Sequence, residues 1–435
     1  MRTIVSFTSA LTLHYIVSLI SSVVLCSSGC FHGPSLPNKP FITVWNTPTD
    51  QCKPKWNVSL DLSAFDIVVN KDQKWCGEYI VIFYDTQLGF YPYFDSNGKA
   101  FNGGVPQVVD LLFLTALSLT LYLVLLGNLT AHLLKVEQDV ANIIPDNEFQ
   151  GIGVIDWEYW RPVFDRNWDK LSIYRNKSME LVKQRHPLWP DSLVEDIARV
   201  EFETAAREFM EETLLLVQKL RPKSLWGFYG FPNCYNDKDA DNCSQVTMKY
   251  NDQISWLFEW SSVLFPSIYL HDKAKLNGTL FVKYRLLESF RFAKKLDGSP
   301  IPVFPYVRIT YAVSQVYLNV GDIMSTILQS AEQGTAGVVI WGDHHSEATK
   351  TDCIELKNYI DNFLGPLVKS ITSIAQNCSQ EFCNLHGRCK FQLNPDLYFK
   401  ASSLEVNLDF LSDQWKFLSC RCYSGWSGED CRHHL

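Results

Sequence analysis

The sequence predicts an α/β barrel followed by a small cysteine-rich module, and three observations support this prediction. Apolar runs of strand length recur along the chain, and several are separated by stretches with helical periodicity. The chain has 435 residues, 46% of them hydrophobic, so it is long enough to bury one large core or two. Six of the 13 cysteines lie between Cys378 and the end of the chain, which indicates a separate disulfide-stabilised unit there.

The apolar runs predict the strands of the barrel. They cover residues 41–45, 79–84, 152–156, 225–231, 267–270, 303–309 and 337–341. Strands that alternate with helices favour a parallel sheet, and seven or eight such units favour a closed barrel. In such a barrel the reactive groups lie where the strands end, at the C-terminal mouth.

The clearest predicted helix begins at a capping box formed by Ser192 and Glu195 and ends before Pro222. Its apolar residues recur broadly on one side, which we expect to be buried. These residues are Ile197, Phe202, Ala205, Phe209, Leu216 and Leu220.

Residues 1–29 have the pattern of a cleaved secretory signal: Arg2, an apolar run, then small residues. A membrane anchor is the alternative. Removing Cys26 with the signal leaves twelve cysteines, and an even number in an exported chain indicates disulfides rather than a metal site. Six glycosylation sequons also fit a secreted or lysosomal protein; they begin at Asn57, Asn128, Asn176, Asn242, Asn277 and Asn377.

The net charge of −8 does not favour binding of nucleic acid, so a polyanionic ligand would need a local groove of positive charge.

The run from Gly151 to Arg161 contains the candidate chemistry. Asp156 and Glu158 close an apolar strand, and alternate residues of a strand point to the same side. Two neighbouring carboxylates do not both ionise easily, so the pair should retain one proton near neutral pH, as a general acid requires. The alternative is a solvated strand end without chemistry.

Five motifs together resemble animal and venom hyaluronidases. They are N-G-G-V-P-Q at 102–107, V-I-D-W-E-Y-W-R-P at 154–162, L-W-G-F-Y-G-F-P-N-C-Y-N at 225–236, P-S-I-Y at 266–269 and G-V-V-I-W-G at 337–342. The resemblance covers about residues 40–435. It implies a distorted (β/α) TIM-like barrel over residues 30–370 and a glycoside hydrolase that cleaves hyaluronan, in some members also chondroitin, with retention of configuration.

The same resemblance implies roles for individual residues. Glu158 corresponds to the proton donor, Asp156 to its partner, and Tyr269 to the tyrosine that holds the substrate's N-acetyl group while its carbonyl attacks the anomeric carbon. Tyr84, Tyr229 and Trp341 correspond to residues that line the groove, and Arg161 could orient Glu158 or bind a glucuronate. Without the resemblance, the aromatic residues would be interpreted as core and Arg161 as a surface ion pair. No cofactor or metal is expected, and His344 and His345 are interpreted as a solvated loop.

The C-terminal residues 371–435 resemble an epidermal-growth-factor-like module. Its six cysteines allow fifteen pairings, of which the resemblance selects Cys378–Cys389, Cys383–Cys420 and Cys422–Cys431. In the barrel it implies Cys52–Cys353 and Cys234–Cys243. A bridge between Cys30 and Cys76 is our hypothesis for the two cysteines that remain.

Residues 108–125 depart from the family pattern as a nearly uncharged apolar insertion. A membrane span there would place the downstream cysteines and sequons in the cytosol, so we expect no span. The leading hypothesis is a gene-model error, and the alternatives are a buried extra helix or an exposed patch that binds lipid or a partner.

The expected protein is a monomeric endo-β-N-acetylhexosaminidase whose partner is hyaluronan or a related glycosaminoglycan. One alternative is a catalytically inactive hyaluronan-binding or adhesion protein. A chitinase-like hydrolase is disfavoured, because the pattern D-x-x-D-x-D-x-E that such enzymes typically carry would need acids where Gly151 and Val154 stand.

Overall fold

The computed structural model describes residues 36, 38–68, 79–107, 129–236, 242–271, 277–296, 298–393 and 415–435. Its strands are β1 Ile42–Asn46, β2 Ile67–Val68, β3 Ile80–Tyr84, β4 Tyr93–Phe94, β5 Ala100–Phe101, β6 Ile152–Asp156, β7 Leu225–Phe228, β8 Tyr306–Val307, β9 Gly337–Trp341, β10 Gly387–Leu393, β11 Trp415–Cys422, β12 Trp426–Ser427 and β13 His433–His434.

Two parallel sheets form the centre of the molecule. One has the order β3-β6-β7, and the other has the order β2-β1-β9-β8. Residues 264–267 connect them through parallel bridges, from Phe265 to Tyr229 and from Ser267 to Tyr306. The predicted α/β class is confirmed. Among the described residues no pair joins β2 to β3, so closure of the barrel stays a prediction.

Two of the predicted strands are shorter than expected. The run 267–270 contributes only the bridge at Ser267, and the run 303–309 contributes a bridge at Val303 and the two residues of β8. Prolines interrupt both regions, at Pro266, Pro302 and Pro305. A proline has no backbone N–H to donate to a ladder, which limits regular pairing there.

Helices surround the sheets. Their bounds are Cys52–Trp56, Leu129–Ile143, Ser172–Arg185, Asp191–Leu220, Gln245–Gln253, Ser255–Trp260, Gly278–Phe292, Val320–Ile323, Gln329–Glu332, Lys350–Tyr359 and Gly365–Phe382. Short 3-10 turns lie at Phe164–Arg166, Asp169–Leu171 and His344–Glu347, and π-helical turns lie at Met324–Leu328 and Ile360–Leu364.

The helix Asp191–Leu220 corrects the predicted capping box. Pro190 occupies the N-cap position without a side-chain cap hydrogen bond, so Ser192 lies inside the first turn. Proline's fixed φ suits this entry to the helix, but its side chain has no acceptor for the N–H groups of the first turn. Phe202, Ala205 and Phe209 are buried as expected. Ile197, Leu216 and Leu220 are only partly buried.

The strands divide their side chains between two faces with a period of two. Inward-facing residues form one buried cluster, with members such as Ile80, Ile152 and Val339. Residues further along the same strands, Tyr84 and Trp341, are only partly buried, and they lie at the C-terminal ends. The alternation therefore places aromatic side chains at the mouth and aliphatic ones beneath it.

The other face of the strands packs against the helices. Phe83, Ile155 and Phe228 are buried there with residues of the helix Asp191–Leu220. Gly153 is required at this layer, because a Cβ at this position would lie 2.3 Å from the ring of Trp226.

Within the described residues there are five disulfides, and they are the same pairs that the family resemblance implies. They are Cys52–Cys353, Cys234–Cys243, Cys378–Cys389, Cys383–Cys420 and Cys422–Cys431. In the C-terminal region β10 pairs antiparallel with β11, and β12 pairs antiparallel with β13. The helix Gly365–Phe382 continues through the expected domain boundary at residue 370, and it packs with β10 in one hydrophobic cluster.

Several predictions lie outside the described residues: the signal at 1–29, Cys30, Cys76, the apolar run 108–125 and the sequon at Asn128. In the described part of the chain, no helix is long and apolar enough to span a bilayer. The other five sequon asparagines are exposed: Asn57, Asn176, Asn242, Asn277 and Asn377.

Candidate active site

Asp156 is the last residue of β6, and it lies beside Tyr84, its register partner on β3. Its Oδ1 is buried and has no hydrogen-bond partner in the structure. Burial raises the pKa of this carboxyl well above its usual range, and the negative charges of Glu158 and Asp85 raise it further. Burial and the neighbouring charges therefore both favour the protonated form of the Asp156 carboxyl.

Glu158 lies two residues further on, and it is exposed. Its backbone N–H donates to Oδ1 of Asp85 at 3.3 Å, and Nη1 of Arg161 donates to its backbone carbonyl at 2.8 Å. The main chain of Glu158 is thus held from two sides while its carboxyl group faces solvent. Arg161 therefore contacts Glu158 through the main chain, and its role in orienting Glu158 or binding a glucuronate stays a prediction.

Asp85 is a functional candidate that the sequence analysis missed. Burial raises the pKa of this carboxyl to about 6, and the charge of Glu158 also raises it. Asp85 follows directly on Tyr84, the last residue of β3. The rule that reactive groups follow the strand ends would have indicated it.

Four of the aromatic residues at the mouth contact one another. The ring centroids of Tyr229 and Tyr269 are 6.2 Å apart, and those of Tyr269 and Trp341 are 6.1 Å apart. Nε1 of Trp341 donates to the hydroxyl of Tyr84 at 3.1 Å. The predicted groove residues therefore form one continuous aromatic wall.

The tyrosine hydroxyls at this wall stay protonated. Burial raises the pKa of Tyr84 to about 12, and the charges of Asp156 and Glu158 contribute. Burial also raises the pKa of Tyr269 well above its usual range, helped by its contact with Tyr229. These hydroxyls can therefore donate hydrogen bonds over the whole working pH range.

A pocket of about 250 Å³ opens in front of Glu158. The lining residues are Trp157, Glu158, Arg161, Tyr229, Gly230, Phe231, Asn233, Tyr235, Ser267, Tyr269, His271 and Arg285. Tyr235, which the sequence analysis did not single out, hydrogen-bonds the Arg161 side chain through its hydroxyl. It lies in the quoted 225–236 motif, which was the available signal.

Arg308 is a further addition to the site. Its guanidinium carbon lies 5.1 Å from the ring centroid of Trp341 and 6.0 Å from that of Tyr269. Nη2 of Arg308 donates to Oδ2 of Asp343 at 2.9 Å. The buried guanidinium of Arg308 thus makes cation–π contacts with two rings of the aromatic wall.

The two histidines after Trp341 hydrogen-bond neighbouring carboxylates. Nδ1 of His344 lies 2.9 Å from Oε1 of Glu347, and Nδ1 of His345 lies 2.8 Å from Oδ1 of Asp343. Across the described ranges, no group of three or more potential metal ligands is present.

Comparison with known families decides the classification. The hyaluronidase model of glycoside hydrolase family 56 matches residues 31–119 and 123–435. The chain belongs to the hyaluronidase family. It is therefore a glycoside hydrolase by family. The break in the match at residues 120–122 falls within the apolar run that the sequence analysis set apart.

Hyaluronidases from several animals align with nearly the whole chain. Hyaluronidase-1 of Homo sapiens is 39% identical over 428 residues, which are 92% of this chain and 94% of the human protein. The hyaluronidase of Crotalus adamanteus is 36% identical over 434 residues and 92% of each chain. The crystal structure of bee venom hyaluronidase superposes with a TM-score of 0.65 at 36% identity, covering 76% of this chain and 99% of the bee protein.

Proposed function

We propose that this protein is a secreted endo-β-N-acetylhexosaminidase that hydrolyses hyaluronan with retention of configuration. Its similarity to hyaluronidases supports the substrate, and so does the bee venom enzyme, whose structure in complex with a hyaluronic acid tetramer superposes with a TM-score of 0.64. Asp156 is half-buried with a buried Oδ1, and it lies next to the exposed Glu158; this is the observation that carries the mechanism.

Glu158 is the proposed proton donor and, later, the base. Its exposed carboxyl group borders the pocket, where a glycosidic oxygen can reach it. Its backbone N–H donates a hydrogen bond to Asp85 and its carbonyl accepts one from Arg161, and both bonds limit the movement of this residue between the two steps. A general acid in this position must be protonated when the leaving group departs.

Asp156 is the proposed partner of Glu158 rather than a nucleophile. Its Oδ1 is buried, and the raised pKa favours the neutral form of the carboxyl, which is a poor nucleophile. A retaining enzyme without a carboxylate nucleophile needs the substrate's own N-acetyl oxygen, as in the substrate-assisted exceptions among glycosidases. Asp156 then shares the proton and stabilises the positive charge that develops on the acetamido group.

Tyr269 is proposed to hold the acetamide for attack. Its hydroxyl stays protonated and lies in the pocket with Glu158. Tyr84, Tyr229 and Trp341 then supply flat surfaces for pyranose rings. If the acetamide is already positioned, its carbonyl oxygen is close to the anomeric carbon before reaction. This lowers the entropic part of the barrier to ring closure.

Export and glycosylation complete the proposal. Five sequon asparagines are exposed, and five disulfides hold the described chain. Disulfides of this number persist in oxidising compartments. The signal sequence predicted at residues 1–29 fits the same route.

The test is hyaluronan cleavage in mildly acidic buffer by wild type, Glu158→Gln and the surface control Glu137→Gln. Glu137 is exposed on the helix Leu129–Ile143, away from the mouth. We expect Glu158→Gln to lose turnover by about 10²- to 10⁴-fold, with binding retained, and Glu137→Gln to match wild type. Near-normal turnover by Glu158→Gln would refute the assignment of the acid.

The same assay separates the remaining alternatives. Wild type that binds hyaluronan without reducing its viscosity would identify a non-catalytic binding protein. Parallel reactions with chondroitin measure activity on the second substrate. NMR identifies the anomer that is released first, which tests whether the configuration is retained. Protein made with and without residues 108–125 tests the gene-model hypothesis, and a transcript that encodes these residues refutes it.

A further inference from the structure

A second cavity lies between the barrel and the C-terminal module, and it shares no lining residue with the pocket at Glu158. Its volume is about 690 Å³, within the range of small-molecule sites. One wall is formed by Phe290, Ala293, Lys294, residues 298–303 and Gly334, and the other by Arg388 and residues 420–426 of the module.

The cavity concentrates positive charge. Lys294, Arg388 and Arg421 line it, and no aspartate or glutamate of the described chain does. Leu435 also borders the cavity. Arg388 and Arg421 are directly opposed on β10 and β11. Like charges at opposed positions of a hairpin repel each other, so this pairing is unfavourable unless something neutralises it.

Arg388 has the least satisfied side chain of this group. It is 7% exposed, and its buried Nε has no hydrogen-bond partner. Its guanidinium lies over the ring of Tyr423, with the carbon 4.8 Å from the centroid. A buried cation without a carboxylate partner is unfavourable, and a cation–π contact offsets only part of the cost.

Arg421 is held in position more firmly than Arg388. Its Nε donates to the carbonyl of Gln333 at 3.1 Å, and its guanidinium carbon lies 3.6 Å from the ring centroid of Phe290. Burial and the charge of Arg388 lower its pKa to about 10, so it is still charged at neutral pH. The two arginines thus form a fixed donor pair, and Arg388 retains free donors.

We propose that this cavity is a second, non-catalytic site for an anionic saccharide, in which Arg388 and Arg421 bind a carboxylate or sulfate group. Inorganic sulfate would leave most of the 690 Å³ empty, and Ile301, Pro302 and Trp426 supply apolar surface for a sugar ring. The identification of the saccharide as a glycosaminoglycan rests on the proposed function. The binding of an anion in this cavity is independent of that function.

The experiment measures binding in the Glu158→Gln background, which prevents cleavage. The probes are inorganic sulfate, a hyaluronan disaccharide and a chondroitin 4-sulfate disaccharide, followed by calorimetry at constant ionic strength. We expect Arg388→Met to weaken disaccharide binding at this site by about ten-fold or more, because a charge-assisted bidentate contact is lost. Lys294→Gln should weaken it less, and Lys295→Gln, the adjacent lysine outside the lining, should leave it unchanged.

Equal affinities in all of these variants would overturn the proposal. Arg388-dependent binding of sulfate without either disaccharide would also overturn it, because the site would then hold only a free inorganic anion. Lys294 is exposed, so if Arg388→Met does not fold, the comparison of Lys294→Gln with Lys295→Gln decides. Arg388-dependent binding in an enzyme that does not cleave hyaluronan would support this site while refuting the proposed function.

Discussion

Two clusters of like charge occur in this molecule, and they differ in sign and in the way they are relieved. At the barrel mouth Asp156, Asp85 and Glu158 place carboxyl groups close together. At the junction with the module, Arg388 and Arg421 place two guanidinium groups at opposed positions. Both clusters include a buried, unpaired polar atom.

The difference lies in what each group can do when it is buried. A carboxyl group escapes the cost of burial by binding a proton, which is why the pKa of Asp156 rises. An arginine keeps its proton at any physiological pH, so it needs an anion instead. The acidic cluster is therefore suited to proton transfer and the basic cluster to binding, and four substitutions test this contrast.

Asp156→Asn should have the largest effect. It removes the carboxyl group that shares the proton with Glu158, so we expect turnover to fall by about 10²-fold or more. The pH dependence of the rate should also change, because the Asp156 carboxyl no longer exchanges a proton with Glu158. Initial rates on hyaluronan between pH 3 and 8 measure both, and an unchanged profile would contradict the coupling.

Tyr269→Phe should reduce turnover by less, about ten-fold, since a neighbouring hydroxyl or water can replace part of the hydrogen bond to the acetamide. The Michaelis constant should change little, because this contact strengthens mainly as the ring closes. Steady-state kinetics with Tyr317→Phe, whose ring stacks on that of Tyr359, provide the control. A loss in affinity alone would show that Tyr269 only binds.

Arg388→Met should make the protein more stable by about 1 kcal/mol in chloride buffer, because a buried cation without a partner is replaced by an apolar side chain of similar length. Urea unfolding with an unchanged slope measures this difference. Saturating anionic ligand should reduce or reverse it, since only wild type gains from binding. Lower stability without ligand would mean that contacts within the protein already satisfy Arg388.

Asp85→Asn should produce the smallest effect, and it should depend on pH. The pKa of Asp85 is about 6 in the folded protein against an ordinary 3.8. A raised acid pKa costs stability as pH rises from about 4 to about 6, and the cost is constant above that window. Asp85→Asn should therefore gain melting temperature relative to wild type across this window. A difference that does not vary with pH would contradict this prediction.

Some of the site could be predicted from local sequence, because strand geometry repeats. Asp156 and Glu158 are two residues apart after an apolar run, so their shared side follows from the period of a strand. The ends of β6 and β9 agree with the predicted runs at 152–156 and 337–341. The capping box at Ser192 failed, because Pro190 offered a competing start for the helix.

Local sequence was sufficient to predict the residues of the candidate site: the acids that close β6, the aromatic residues at the strand ends, and the cysteines whose spacing resembles a known module. The folded structure was needed to show that an oxygen of Asp156 is buried, that Asp85 approaches from the end of β3, and that Arg388 and Arg421 meet beside a cavity. The physical reason is that alternation and spacing are local, whereas burial and charge proximity depend on segments far apart in the chain.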